Sequence, residues 1–169
     1  MRTRAYILLT LVTLSVQVFI LNNLSISPLV IPMVYIIPIV MMPIESSQLK
    51  VLLAGLLLGI VMDISMGTMG LNTLATLPIA FLRRPLLNSL AGLSSISKEE
   101  GIPSTKRLGM RFHRYFIVVI VLHSLLFYFA EWLSFDNFGM LLLRIVCSTL
   151  VSLLLDYIIV MLFMKRLSA

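Results

Sequence analysis

The chain has 169 residues, of which 60% are hydrophobic and 12% charged, and its mean hydropathy is +1.08. A water-soluble domain of this size has too little interior to hide that much apolar surface, so the composition excludes one and points to the bilayer as solvent. The net charge of +6 is not a nucleic-acid signature, because the cations sit at the ends of apolar runs, where they set membrane orientation.

A helix crosses the hydrocarbon core with about 20 apolar residues, so the chain has room for about six spans in a single transmembrane domain over residues 1–169. The first is expected over residues 5–24. Arg2 and Arg4 ahead of an apolar run resemble the start of a secretory leader. The run to Leu21 is long, however, and Asn22, Asn23 and Leu24 make a poor cleavage site, so it reads as a retained helix. The second span is expected over 28–44 and carries Pro28, Pro32, Pro38 and Pro43. Each proline removes a backbone donor and bends a helix, and in lipid every freed carbonyl needs a new partner. This span is therefore expected to be bent and partly re-entrant.

A polar break at residues 45–48 precedes a third span at 49–64. A turn with Gly67 and Gly70 leads to a fourth at 71–82. Both are short, so they either thin the bilayer or pack away from lipid. Residues 83–114 form the one long polar connection. Its first part, 85–96, carries Leu86, Leu87, Leu90, Leu93 and Ile96 at helical spacing, which predicts a short helix lying in the membrane interface. Residues 97–109 read as exposed loop. The fifth span is expected at 115–133 and the sixth at 140–164, closed by Lys165 and Arg166. The expected fold class is thus all-α and integral to the membrane. With both termini cytoplasmic, every Lys and Arg except Arg144 falls on the cytoplasmic side.

Charges inside spans are costly and usually pair or face a polar cavity. By depth, Asp63, Glu131 and Arg144 fall together, which makes Arg144 a partner for either Asp63 or Glu131. Such groups either line an ion or substrate path or fix helix register, and register is the favoured role for these three. Asp156 lies deeper than any obvious partner. It bonds to a Ser, Thr or Asn on a neighbouring helix, or it is protonated; for this residue the path and the register roles weigh equally. Gly55 and Gly59 form a small-xxx-small pair, which suits close helix packing inside the molecule more than a homodimer face. Cys147 is the sole cysteine, so no intrachain disulfide or cysteine metal cluster is available. His113 and His123 lack the spacing of a metal pair. No nucleophile–base pair, phosphate loop or nucleotide fingerprint is present, and the expectation is no enzyme, no cofactor and no metal. The basic run from Lys106 to Arg114 serves either topology alone or an anionic lipid or acidic partner.

Residues 55–71, GLLLGIVMDISMGTMGL, resemble the signature of the rod shape-determining MreD family: a Gly/Leu-rich helix ending in Asp, a short turn, and a further Gly-Leu before the next helix. An N-terminal helix with Gln17 and Phe19 and a proline-rich second span are also similar. The resemblance implies a non-enzymatic component of the bacterial inner membrane. It would associate with an MreC-type protein and help couple MreB filaments to peptidoglycan synthases, with no small-molecule substrate. Asp63, Gly67 and Gly70 are the positions carried over, as structural or partner-facing residues. The alternative is a substrate-binding membrane subunit of an energy-coupling-factor vitamin transporter, which has a similar small, glycine-rich, six-helix layout. Such a protein needs a polar pocket open to the outside, and Trp132, Asp136 and Asn137 are thin material for one. An intramembrane enzyme is less favoured still, since His123 and Ser124 are adjacent on a helix and point apart.

Overall fold

The computed structural model describes residues 2–23, 30–92, 101–132 and 138–167. The regular structure among them is helical: α1 (Arg2–Ser15), which runs on into a π-helical turn (Val16–Leu21), α2 (Ile37–Val40), α3 (Gln48–Met66), α4 (Leu71–Ala91), α5 (Thr105–Leu108), α6 (Met110–Trp132) and α7 (Phe138–Leu167). Four stretches are long and apolar enough to cross a membrane, namely Arg4–Leu21, Gln48–Met66, Met110–Glu131 and Phe138–Met164. In sequence terms they are the expected first, third, fifth and sixth spans.

The second expected span is not a helix. Residues 31–34 have no regular secondary structure, a turn follows at Tyr35 and Ile36, and α2 contributes a single short helical segment before the chain leaves through Met41 and Met42. Yet this segment is the most buried part of the molecule: residues 32–41 are all buried, most of them completely. Its path is fixed by its neighbours on α6. The Ile31 carbonyl meets Tyr128, the Tyr35 hydroxyl meets His123, and the Val40 carbonyl meets Tyr115. From Tyr128 to Tyr115 is about 20 Å of helix at 1.5 Å per residue. The segment therefore threads the bundle lengthwise, wrapped by protein. That is the condition under which irregular backbone is tolerated at membrane depth.

The fourth helix is longer than the sequence predicts. A break at Arg83 and a separate interfacial helix over 85–96 are expected, but α4 continues to Ala91. Pro85 inside α4 deprives the Phe81 carbonyl of its i+4 donor, and the Gln48 side chain supplies a replacement: its Nε2 donates to the carbonyls of Phe81 at 3.0 Å and Ala80 at 3.2 Å. Leu87 is core, and Leu86 and Leu90 pack against that core. The amphipathic face thus covers protein rather than lying on lipid. Leu93 and Ile96 lie outside the described residues.

The expected exposed loop at 97–109 is also partly core. Residues 101–104 are buried, and Ile102 and Leu108 join the main cluster. Two backbone ties hold this stretch to the end of the threaded segment: Ile44 N–H donates to the Gly101 carbonyl, and Gly101 N–H donates to Glu45. α6 then begins at Met110 rather than near residue 115. Around the threaded segment α3 packs on α4, α4 on α6, α6 on α7, and α7 on α1.

Candidate functional site

The motif stretch folds as a helical hairpin, α3 turning into α4. Two glycines set the separation of its helices. A Cβ on Gly59 would lie 2.6 Å from Thr73 Cα, and one on Gly55 would lie 2.8 Å from Ala80 Cβ. Both therefore face the partner helix inside the molecule, where only hydrogen leaves room.

Asp63 ends one helix and begins the next. Its carbonyl accepts the N–H of Gly67, which closes α3 in the left-handed conformation at φ 66°, and that of Thr68 at 3.0 Å. Its carboxylate accepts the first free amides of α4, Asn72 N–H at 2.8 Å and Thr73 N–H at 3.0 Å. The Thr68 and Thr73 hydroxyls add bonds of 2.7 and 2.6 Å. Gly70, at φ 91°, has no side chain to cap α4, so Asp63 supplies the capping oxygen from across the turn. Asp63 is thus fully engaged within the hairpin, and the partner of Arg144 is Glu131, at 3.3 Å, with each side chain about one-fifth exposed at 19%.

From Asp63 a polar chain runs into the interior. Asn72 Nδ2 donates to Asp63 at 3.1 Å and to Thr68 at 2.7 Å, so its amide oxygen faces the other way and accepts from the Tyr35 hydroxyl at 2.9 Å. The Tyr35 proton being spent on Asn72, the contact with His123 Nε2 at 2.9 Å requires His123 to donate, which assigns its Nε2–H tautomer. Thr76 closes this group from α4. Asp63, Asn72, Tyr35 and His123 thereby join the hairpin, the threaded segment and α6 through buried groups.

A second set of side chains serves the backbone of the threaded segment directly. Gln17, buried at the start of the π-helical turn, acts on it like a neighbouring strand: its Oε1 accepts Val34 N–H at 2.7 Å and its Nε2 donates to the Pro32 carbonyl at 3.0 Å. Ser148 and Ser152 on α7 accept the N–H groups of Ile31 at 3.1 Å and Met33 at 2.9 Å. The register is physical: four residues of helix advance about 6 Å, close to the advance of two residues of extended chain. Tyr6 donates to the Pro38 carbonyl at 2.9 Å, and Arg83 donates to the carbonyl of Met42. Asp156 continues the Ser148–Ser152 row by four residues. It is fully buried, and neither carboxyl oxygen has a hydrogen-bond partner among the described residues.

The hairpin residues Gly55, Gly59, Asp63, Gly67 and Gly70 thus come together, while Arg144 and Asp156 belong elsewhere on α7. Sequence reasoning passed over Tyr35, Asn72, Ser148 and Ser152. The only signal for the serines is their spacing of four from each other and from Asp156 in an apolar run. Trp132, Asp136 and Asn137 cannot be weighed as pocket residues, because Asp136 and Asn137 and the Trp132 side chain lie outside what is described. Apart from Asp156 and the Arg83 Nε, the assembly is a set of satisfied hydrogen bonds that fixes backbone, with the Asp63 carboxylate occupied by capping. No protein family, curated protein or solved structure matches this chain.

Proposed function

We propose that the chain is a non-enzymatic component of the bacterial cell-elongation machinery, resembling MreD, in the inner membrane. It would make six passes with both termini in the cytoplasm, five of them helical and one the threaded segment. In this role it bridges an MreC-type protein, MreB filaments and peptidoglycan synthases through helix faces.

The observation that carries this reading is the hairpin at residues 55–71. The stretch that resembles the family folds as a closely packed hairpin, set by Gly59 against Thr73 and by Asp63 across the turn. Its outward side holds an open groove of about 540 Å³ between Ile60 and Ile64 of α3 and Leu74 and Leu77 of α4, with Asp63 and Thr68 at one end. A rigid hairpin with an apolar outer face suits a scaffold that works by side-on contact with other membrane helices.

Photo-crosslinking from Leu57 and Leu74 in native membranes, read by mass spectrometry, tests the proposal. Crosslinks to an MreC-type protein or a peptidoglycan synthase are expected. Crosslinks to a transporter subunit with its ATPases would overturn it in favour of vitamin uptake.

A further inference from the structure

Three helices end their outward faces in cations at the same end of the bundle. On α3 the exposed row through Leu57 and Leu53 ends at exposed Lys50. On α4 exposed Phe81 is followed one turn later by exposed Arg84. On α6 the exposed row through Leu125 and Val118 ends at Arg114 and Arg111, with Lys106 just before the helix. These ends coincide in space. Gln48, two residues before Lys50, bonds to the Phe81 carbonyl, and Arg83 and Tyr115 reach the threaded segment at neighbouring residues, Met42 and Val40.

Among the described residues one carboxylate, Glu45, lies at this end, where it accepts Gly101 N–H, and two observations show that the cations outweigh it. Lys50, Arg111 and Arg114 lie in the opening turns of α3 and α6, where the helix dipole already presents its positive end, and neither first turn contains an acid. Arg83 beside them is buried, meets a carbonyl and a phenol oxygen rather than a carboxylate, and leaves its Nε without a partner. Arginine cannot shed its charge, so the excess persists at any physiological pH.

We infer that this collar binds the phosphate groups of anionic phospholipids. The position of the cations selects lipid over an acidic protein. Lys50, Arg84 and Arg114 each lie about one helical turn beyond an exposed apolar residue of their own row, Leu53, Phe81 and Val118, and Arg111 about two turns beyond Val118. This is the depth at which a long basic side chain reaches the headgroup layer while its stem stays in hydrocarbon. An acidic soluble partner would instead approach the aqueous cap of the bundle. The inference does not depend on the proposed cellular role.

The test is native mass spectrometry of the purified full chain with equal amounts of dioleoyl-phosphatidylglycerol and dioleoyl-phosphatidylcholine. A preference of about tenfold for the anionic lipid is expected, equivalent to about 1.4 kcal/mol. It should fall towards unity in the combined K50Q, R84Q, R111Q and R114Q variant, with phosphatidylcholine binding unchanged. Should that variant fail to fold, the wild-type preference must still decline as salt is raised, because exposed charges are screened. Equal retention of both lipids by wild type would overturn the inference, as would a preference insensitive to both salt and the substitutions. Displacement of bound phosphatidylglycerol by a soluble poly-glutamate at a matched charge concentration would also overturn it, in favour of an acidic protein.

Discussion

The hairpin of α3 and α4 and the threaded segment at residues 31–42 solve the same problem by opposite means. In the hairpin the backbone is satisfied largely within two helices, and the opening amides of α4, Asn72 and Thr73, are capped by Asp63 nine or ten residues away. In the threaded segment the backbone bonds to itself only around α2, between Val34 and Met42, and the remaining groups draw help from α1, the π-helical turn, α4, α6 and α7, in two cases across 117 and 119 residues of sequence. The difference teaches where tolerance lies. A self-contained hairpin withstands loss of neighbours, whereas an irregular segment in a low-dielectric interior is only as stable as the side chains that surround it.

The comparison predicts a ranking of substitutions. The largest effect is expected for Gln17→Leu, which orphans the Val34 N–H and the Pro32 carbonyl at once. Each unsatisfied buried group costs about 1–3 kcal/mol. Unfolding in mixed micelles should show the sum, and a change below that of a single lost bond would break the comparison. Next is Gly59→Leu, where the new side chain meets the Thr73 backbone. Overpacking of this kind costs about 1–3 kcal/mol, and the backbone position of the clash puts it at the upper end. Thermal unfolding should register it, while Leu57→Phe on the exposed face of the same helix should change little.

Asp63→Ala comes third. Removing the cap should cost about 0.5–2 kcal/mol, and hydrogen exchange should localise the loss to the first turn of α4. Protection lost along all of α4 would mean that Asp63 holds more than the cap. The smallest effect is expected from the Glu131–Arg144 pair. Partly exposed pairs of this kind couple by about 0.2–1 kcal/mol, so a double-mutant cycle with Glu131→Gln and Arg144→Gln should give a value in that range.

The same contrast explains what was legible in the sequence. Gly55, Gly59, Asp63, Gly67 and Gly70 announce a glycine-packed hairpin with a tight turn because every partner they use lies within a short stretch of chain. Four prolines announce trouble in residues 28–44, but proline indicates only which donors are lost, not which side chains replace them. Ser148 and Ser152 look like incidental polar residues on an apolar helix until α7 is laid beside Ile31 and Met33. The extension of α4 past Pro85 was illegible for the same reason, since the compensating donor, Gln48, comes from the far end of α3. The partner of Arg144 was legible only as a choice between Asp63 and Glu131. Geometry decided it, because Asp63 is occupied across its own turn.

The most direct test is amide hydrogen exchange on the full chain in lipid nanodiscs, comparing Met33 and Val34 with residues 55–59 of α3. If the threaded segment is wrapped and served by Gln17, Ser148 and Ser152, its amides exchange as slowly as those of α3, and Gln17→Leu accelerates Val34 selectively. Fast exchange at Met33 and Val34 in the wild type, with α3 protected, would contradict the central role given to these side chains.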